Sequence, residues 1–284
     1  MGGRLAPAGT AGHSRRCSLT SSTPDALWAS RSVRLLRPTA VRVIGLHRSV
    51  RRQRLLAGVN LRVPVGARLL VISNPEGADS LLLRVLAGLV RPHHGTFELA
   101  GLARADASSG DWGGRVAYLP PDGGFYPWLS PGEVLELASR LAGHERHERR
   151  RRIEAAVDHY RLGAELRMPV SRGGRALAQR VGLAAAMLGE PEVLLLNDPL
   201  RAVDSAERAR LLQIPGPRRT VVMASRYPAA EDGLVDQVAL IRDGRVALHA
   251  RTDELAEHDL ALSMRGISAL ADLRAVQPAV AATA

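Results

Sequence analysis

Lysine is absent from all 284 residues, so each of the 39 basic side chains is an arginine. No phosphate-binding motif that depends on a lysine ammonium can therefore be complete anywhere in the chain. The single Cys17 excludes an internal disulfide framework and a cysteine zinc site, which fits a reducing compartment. Aromatic residues make up only 3% of the chain, too few to supply a surface on which nucleic-acid bases stack. Uninterrupted apolar runs are short as well. The longest candidates are broken by Glu190, Glu192 and Asn197, well below the roughly 18 residues that a membrane span needs.

What is present is a composition that can bury a core. Hydrophobic residues make up 46%, enough for one large domain or one domain carrying a subdomain. The net charge of +11 invites a nucleic-acid reading. Residues 1–40, however, carry six arginines (Arg4, Arg15, Arg16, Arg31, Arg34 and Arg37) against Asp25 alone, which places five of the eleven charges there. The remainder is thinly spread, and nucleic-acid binding is not expected.

Residues 1–40, rich in Gly, Ser, Ala and Arg, lack sustained periodicity and are expected to be disordered; the same bias would suit a transit peptide or a flexible extension. From Val41 onward the pattern becomes dense. "VRVIGL" alternates as an edge strand does, and "VNLRVPVGARLLVIS" gives two strand runs separated by Pro64 and Gly66. "SLLLRVLAGLV" then has helical spacing that ends at Gly88. Further strand runs at "RVAYLP", "EVLLLN", "TVVMAS" and "QVALIRDGRVALHA" alternate with helical stretches, which argues for an α/β core with a parallel sheet.

A long, mostly helical insertion separates "RVAYLP" from "EVLLLN". Ser130, Pro131 and Glu133 give it a capping-box start with proline at the first helical position. The run "ERHERRRRIEAAVDHY" sets Glu145 to Arg149 and Glu148 to Arg152 at i, i+4. It reads most simply as a solvated helix face, with a partner or an acidic lipid surface as the other use of so many arginines.

Order and wording together resemble the nucleotide-binding domain of ABC transporters over residues 41–257. "GLVRPHHGTFELAGL" is similar to the family's stretch after the phosphate loop, and "YLPPDGGFYPWLSPGEVLELASRLAG" to the Q-loop and the entry to the helical subdomain. "PVSRGGRALAQRVGLAAAMLGEPEVLLLNDPLRAVD" resembles the signature, Walker B and D-loop region without a gap, and "TVVMASRYPAAEDGLVDQVALIRDGRV" the H-loop region. The implied fold is an α/β cassette of the P-loop NTPase type, with a mixed or parallel sheet core, an antiparallel β edge and a helical subdomain at about 128–178. Residues 258–284 follow as a short Ala-rich tail.

The family's phosphate loop has the form G-x-x-G-x-G-K-[ST], in which glycines let backbone N–H groups close on a phosphate and lysine neutralises it. The corresponding segment here is Ser73, Asn74, Pro75, Glu76, Gly77, Ala78, Asp79, Ser80 and Leu81. Ser73, Glu76 and Ala78 hold the glycine positions, Asp79 holds the lysine position, and only Ser80, which corresponds to the metal-ligating hydroxyl, is kept. Val50 stands at the adenine-stacking aromatic and Pro121 at the Q-loop glutamine. Asn197 stands at the Walker B aspartate and Asp198 at the catalytic glutamate, one methylene shorter. Arg226 stands at the H-loop histidine. In the signature, Gly174 replaces a serine and Ala176 a glycine, while Gln179, Arg180 and the D-loop Asp204 remain.

The resemblance implies ATP and magnesium as cofactors, a membrane permease and a second cassette as partners, and a place at the cytoplasmic face of the membrane. The altered positions imply weak or absent nucleotide binding, hence a non-hydrolysing or very weak pseudo-ATPase component. The alternative is a weakly active ATPase subunit that still uses Ser80, Asp198 and backbone amides. Two other readings stay open, a decaying copy and a pocket that takes something cationic through Glu76 and Asp79.

Overall fold

The structure, a computed structural model, describes residues 38–74, 76–103, 109–214, 216 and 218–281; of the disorder expected for residues 1–40, the part up to residue 37 lies outside them, while Thr39 and Ala40 already belong to the first strand. The chain opens with β1 (Thr39–Val50) and β2 (Gln53–Pro64), followed by β3 (Arg68–Asn74) and α1 (Ala78–Leu86). Next come β4 (His94–Leu99), β5 (Leu102–Ala103), α2 (Ser109–Arg115) and β6 (Val116–Leu119). Three helices form the insertion: α3 (Pro131–Leu141), α4 (Arg146–His159) and α5 (Val170–Leu188). The chain then runs through β7 (Val193–Asn197), α6 (Ser205–Leu212), β8 (Thr220–Ala224), a 3-10 turn (Pro228–Glu231), β9 (Gln237–Arg242), β10 (Arg245–Arg251), α7 (Thr252–Glu257) and α8 (Met264–Ala281).

These strands form two sheets. One is a four-stranded antiparallel sheet in the order β2-β1-β4-β5; the other has six strands in the order β10-β9-β3-β8-β7-β6, parallel except for the β9–β10 hairpin. "VRVIGL" therefore does not lie on an edge, because β1 is paired on both sides, with β2 and with β4. The alternation has another source: Val41 and Val43 face the core while Arg42 and Ile44 face out, until bulges shift the register between Val43 and Leu46 and again between Leu46 and His47, around Gly45 at φ 54°.

The parallel strands read as unbroken apolar runs because both of their faces are covered. Leu69 and Val71 of β3, Val193 and Leu195 of β7, and Val222 and Ala224 of β8 join the core shared with α1 and the antiparallel sheet. Their alternate neighbours point the other way. Leu194, Leu196, Val221 and Met223 pack with α3, α5 and α6, and Leu70 and Ile72 with the buried Ile267, Leu270 and Ala271 of α8. Among the described residues no helix is long and apolar enough to cross a membrane.

Local chemistry sets the insertion's geometry. At the start of α3 the Ser130 hydroxyl accepts from the Glu133 backbone N–H while the Glu133 carboxylate accepts from the Ser130 backbone, the reciprocal cap expected from the sequence. On α4, Glu148 and Arg152 pair at 2.8 Å. Glu145 and Arg149 do not pair as their spacing predicts. Glu145 becomes the residue that precedes α4, and Arg149 crosses to Glu136 of α3 at 2.9 Å, a tertiary contact that displaces the local one.

Register brings the functional segments to one edge. Asn197 is paired with Ala224, Leu119 with Leu196 and Val71 with Ala224, so the chain leaves β3, β6, β7 and β8 at the same carboxyl-terminal side. In an open α/β sheet, this is where ligands bind.

Candidate functional site

The turn from β3 into α1 forms the centre of this edge. Gly77, at φ 99° and ψ −12°, supplies the left-handed residue that lets the chain reverse into α1, and it offers no side chain to cap the helix. Ser73, Ala78, Asp79 and Leu81 are buried, Ser80 is half-buried, and Asn74 and Glu76 are exposed; Pro75 lies outside the described residues. Asp79 is only 7% exposed, and its Oδ1 accepts a 2.8 Å hydrogen bond from the Ser73 hydroxyl. Burial pushes its carboxyl above the ordinary Asp range, while Ser73 and the backbone N–H groups of Ser80, Asp79 and Gly77 pull it partly back.

A second network ties this turn to β7 and β6. The Asn197 side-chain amide donates to the Ser80 hydroxyl at 2.8 Å and to the Tyr118 hydroxyl at 3.2 Å. The only polar side chain retained from the phosphate-loop pattern is thus held by a neutral amide.

The third network is ionic. Asp198 is 8% exposed and adopts φ 48°, a left-handed conformation that Asp tolerates better than most residues. It receives the Arg226 backbone N–H at 3.2 Å and the Arg226 Nε at 2.8 Å, and Arg201 lies 3.6 Å away. The Arg201 guanidinium in turn stacks 3.7 Å from the centre of the Tyr227 ring. The Asp198 carboxylate keeps the Arg226 guanidinium above its usual pKa, with Tyr227 and Glu76 as smaller contributors.

The fourth group connects loops. Gln179, 1% exposed, donates from Nε2 to the Pro121 carbonyl at 2.8 Å and accepts from the Ala202 N–H at 3.0 Å. It therefore joins the segments aligned with the Q-loop and the D-loop, a structural task consistent with its helical position. Gly174 interrupts α5 at φ 66° and ψ −164°, a conformation that is essentially glycine-only. Beyond it, Ala176 and Asp204 share a cavity of about 590 Å³ with Arg161, Arg180, Glu207 and Arg210.

Most of the residues singled out from the sequence meet at this edge, at the turn, at the end of β7 and after β8. Val50 belongs to the far end of β1 in the other sheet and is 38% exposed. Sequence reading missed Tyr118, Arg201 and Tyr227. Tyr118 carries no signal, since its contact with Asn197 spans 79 positions; Arg201 is three residues from Asp198 in a turn, a spacing that could have suggested the pair. Among the described residues, no group of three or more His, Cys, Asp or Glu side chains is arranged to hold a metal ion.

Two consequences can be measured. Gln179→Ala takes the partner from the partly solvated Pro121 carbonyl and Ala202 N–H, so unfolding in urea should show a loss of roughly 1 kcal/mol; an unchanged midpoint would mean that water replaces the amide. The second concerns pH. Because the folded state holds the Asp79 proton more tightly than the unfolded chain does, this group's contribution to stability is greatest below the ordinary value of 3.8 and falls as pH rises toward the raised folded value. Asp79→Asn removes that decline. Its stability relative to the unsubstituted protein should therefore improve as pH rises through that window in denaturant melts, and a pH-independent difference would contradict the assignment.

With the geometry established, comparisons with known proteins give the context. A family model described as "ABC transporter" matches residues 56–201. An aliphatic sulfonates import ATP-binding protein of Mesorhizobium japonicum is 32% identical over 200 residues, covering 68% of this chain and 72% of that protein. A daunorubicin resistance ATP-binding protein of Streptomyces coeruleorubidus is 28% identical over 224 residues, covering 76% and 70%. An uncharacterized ABC transporter ATP-binding protein of Bacillus subtilis is 27% identical over 187 residues, and the match covers 64% of this chain and 61% of that protein. The chain thus spans about three-fifths to three-quarters of the length of such relatives. Among solved structures, the ATP-binding subunit of an ABC transporter has a TM-score of 0.71 at 21% identity, covering 82% of this chain and 100% of that one. An ATP-binding cassette dimer bound to ADP and phosphate has a TM-score of 0.65 at 17% identity, covering 74% and 98%. At these identities the structural matches speak for the fold alone.

Proposed function

Since the chain belongs to the ABC transporter ATP-binding family, we propose that it serves as a non-hydrolysing cassette subunit, docked on a membrane permease at the cytoplasmic face and paired with a second cassette. Residues 41–257 would form the cassette, with the helical subdomain at about 128–178. The observation that carries this reading is the buried, hydrogen-bonded carboxyl of Asp79 at the lysine position of the phosphate loop.

The donor set does not fit a magnesium triphosphate. At about 4 Å and an effective dielectric near 20, exchanging a cation for an anion turns an attraction of roughly 4 kcal/mol into a repulsion of similar size. Even heavily discounted for solvent, this is more than a hundredfold in affinity, each ~1.4 kcal/mol being tenfold. Asn197 brings no charge to a hard divalent cation, which prefers carboxylate oxygens. Ser80, the remaining hydroxyl at the metal position, already accepts from Asn197.

A role outside hydrolysis needs a surface for partners. Tyr126 and Trp128 are each 64% exposed and stack with ring centres 4.6 Å apart, on the loop that leads into α3. Such an exposed aromatic pair suits a protein contact, since Tyr and Trp are enriched at interfaces. The relatives' names support attachment to transport systems, and one fold-alike was solved as a dimer.

Phosphate release from Mg-ATP by the purified protein tests the reading. Turnover should stay at background and be unaffected by Asp198→Ala. Turnover that disappears in Asp198→Ala would instead establish the weakly active ATPase, with Asp198 and Arg226 in catalytic roles.

A further inference from the structure

We infer that the Asp79 carboxyl is a built-in occupant of the β3–α1 turn, a tethered acid that fills the place of a phosphate and holds the turn in its closed form without nucleotide. This rests on the reading of the chain as a cassette without a working ATP site and adds how that site is kept closed.

The turn is the kind that collects anions. Backbone N–H groups at the start of a helix have no partners within the helix, and successive amides around a left-handed residue form a concave nest for negative charge. Here α1 is nine residues long, begins at Ala78, and is preceded by Gly77 at φ 99°, which has no side chain to satisfy those amides. The chain supplies an acid instead, from the second position of the helix. Its carboxyl is nearly inaccessible, takes the Ser73 hydroxyl at 2.8 Å, and lies close enough to the backbone N–H groups of Ser80, Asp79 and Gly77 for them to favour its charged form.

The groups around it are similarly engaged. Ser80 is held by Asn197, Asp198 by Arg226, and Arg201 lies on Tyr227. Glu76, on the turn itself, lies close enough to Arg226 to act on its charge. Arg201 Nη1 is a buried donor without a hydrogen-bond partner, but to enter the turn an incoming phosphate would still have to displace an acid tethered at high effective concentration. An ordinary helix-start aspartate also accepts amides, but it is exposed to water; the burial of Asp79 inside the turn is what sets it apart.

Inorganic pyrophosphate is the probe, titrated without metal into the full-length protein, Asp79→Ala and Asp79→Asn, with binding followed by calorimetry. Asp79→Ala empties the turn. Asp79→Asn keeps its size and the contact with Ser73 while removing the charge, and so covers the case in which the alanine variant does not fold. Either variant should bind pyrophosphate at least about tenfold more tightly than the unsubstituted protein, a gain expected from removing like-charge repulsion. Equal affinities across all three proteins, or no binding by any of them, would overturn the inference. Neither result touches the proposed function, which fails only if the unsubstituted protein binds or hydrolyses Mg-ATP.

Discussion

Asp79→Lys, combined with Glu76→Gly and Ala78→Gly, is expected to raise affinity for Mg-ATP by more than about a hundredfold, read by displacement of a fluorescent nucleotide. The substitutions restore the lysine and two glycines of the phosphate-loop pattern, remove two carboxylates from the turn and put one ammonium in their place. Ala78 is 1% exposed, so losing its methyl opens a small void beside the core. These positions are neighbours, and their effects should not add as independent terms. Adding Asn197→Asp should make the gain depend on magnesium, because it provides the oxygen charge that Asn197 lacks and frees Ser80 from the amide that now binds it. A triple variant that folds and gains less than tenfold would show that the turn's charge is not what excludes nucleotide.

Glu231→Ala should be the most damaging single change to stability, at about 3–5 kcal/mol, seen as a shifted urea midpoint. Glu231 is 0% exposed and accepts both of its hydrogen bonds from Arg208, at 2.6 and 2.7 Å. Arg208 also donates to the carbonyls of Pro199 and Ala230, so one guanidinium fastens the turn after β7 to the 3-10 turn after β8. Removing Glu231 leaves that cation buried and unpaired. A double substitution of both partners by apolar residues of similar volume should cost much less, since an unpaired buried charge is worse than none. If Glu231→Ala and the double variant were equally destabilised, packing rather than charge would be responsible.

The fold was largely legible because it rests on patterns that sequence displays. β3, β7 and β8 are runs of apolar residues whose two faces are both covered, and the cap at Ser130 and Glu133 is local chemistry within four residues. Long-range contacts were not legible. β1 alternates like an edge strand, yet it is paired on both sides and bulged at Gly45. Arg149 has a suitable acid four residues before it and pairs with Glu136 instead.

For the site, motif alignment identified the altered positions but not what became of them. Asn197 could be read as a lost charge; that it clasps Ser80 of α1 and Tyr118 of β6 depends on elements 79 or more residues apart in sequence. Arg226 could be read as a cation near a phosphate, whereas it is committed to Asp198. Gly174 could be read as a lost hydroxyl, whereas it is the break in α5 that only glycine accommodates.

The account stands or falls on whether the unsubstituted protein holds Mg-ATP, which isothermal titration of the full-length chain measures directly. The closed turn and its acid predict no binding tighter than about 100 μM. A dissociation constant below that value, abolished by altering Ser80, would contradict the account and make the chain an ATP-binding subunit in the ordinary sense.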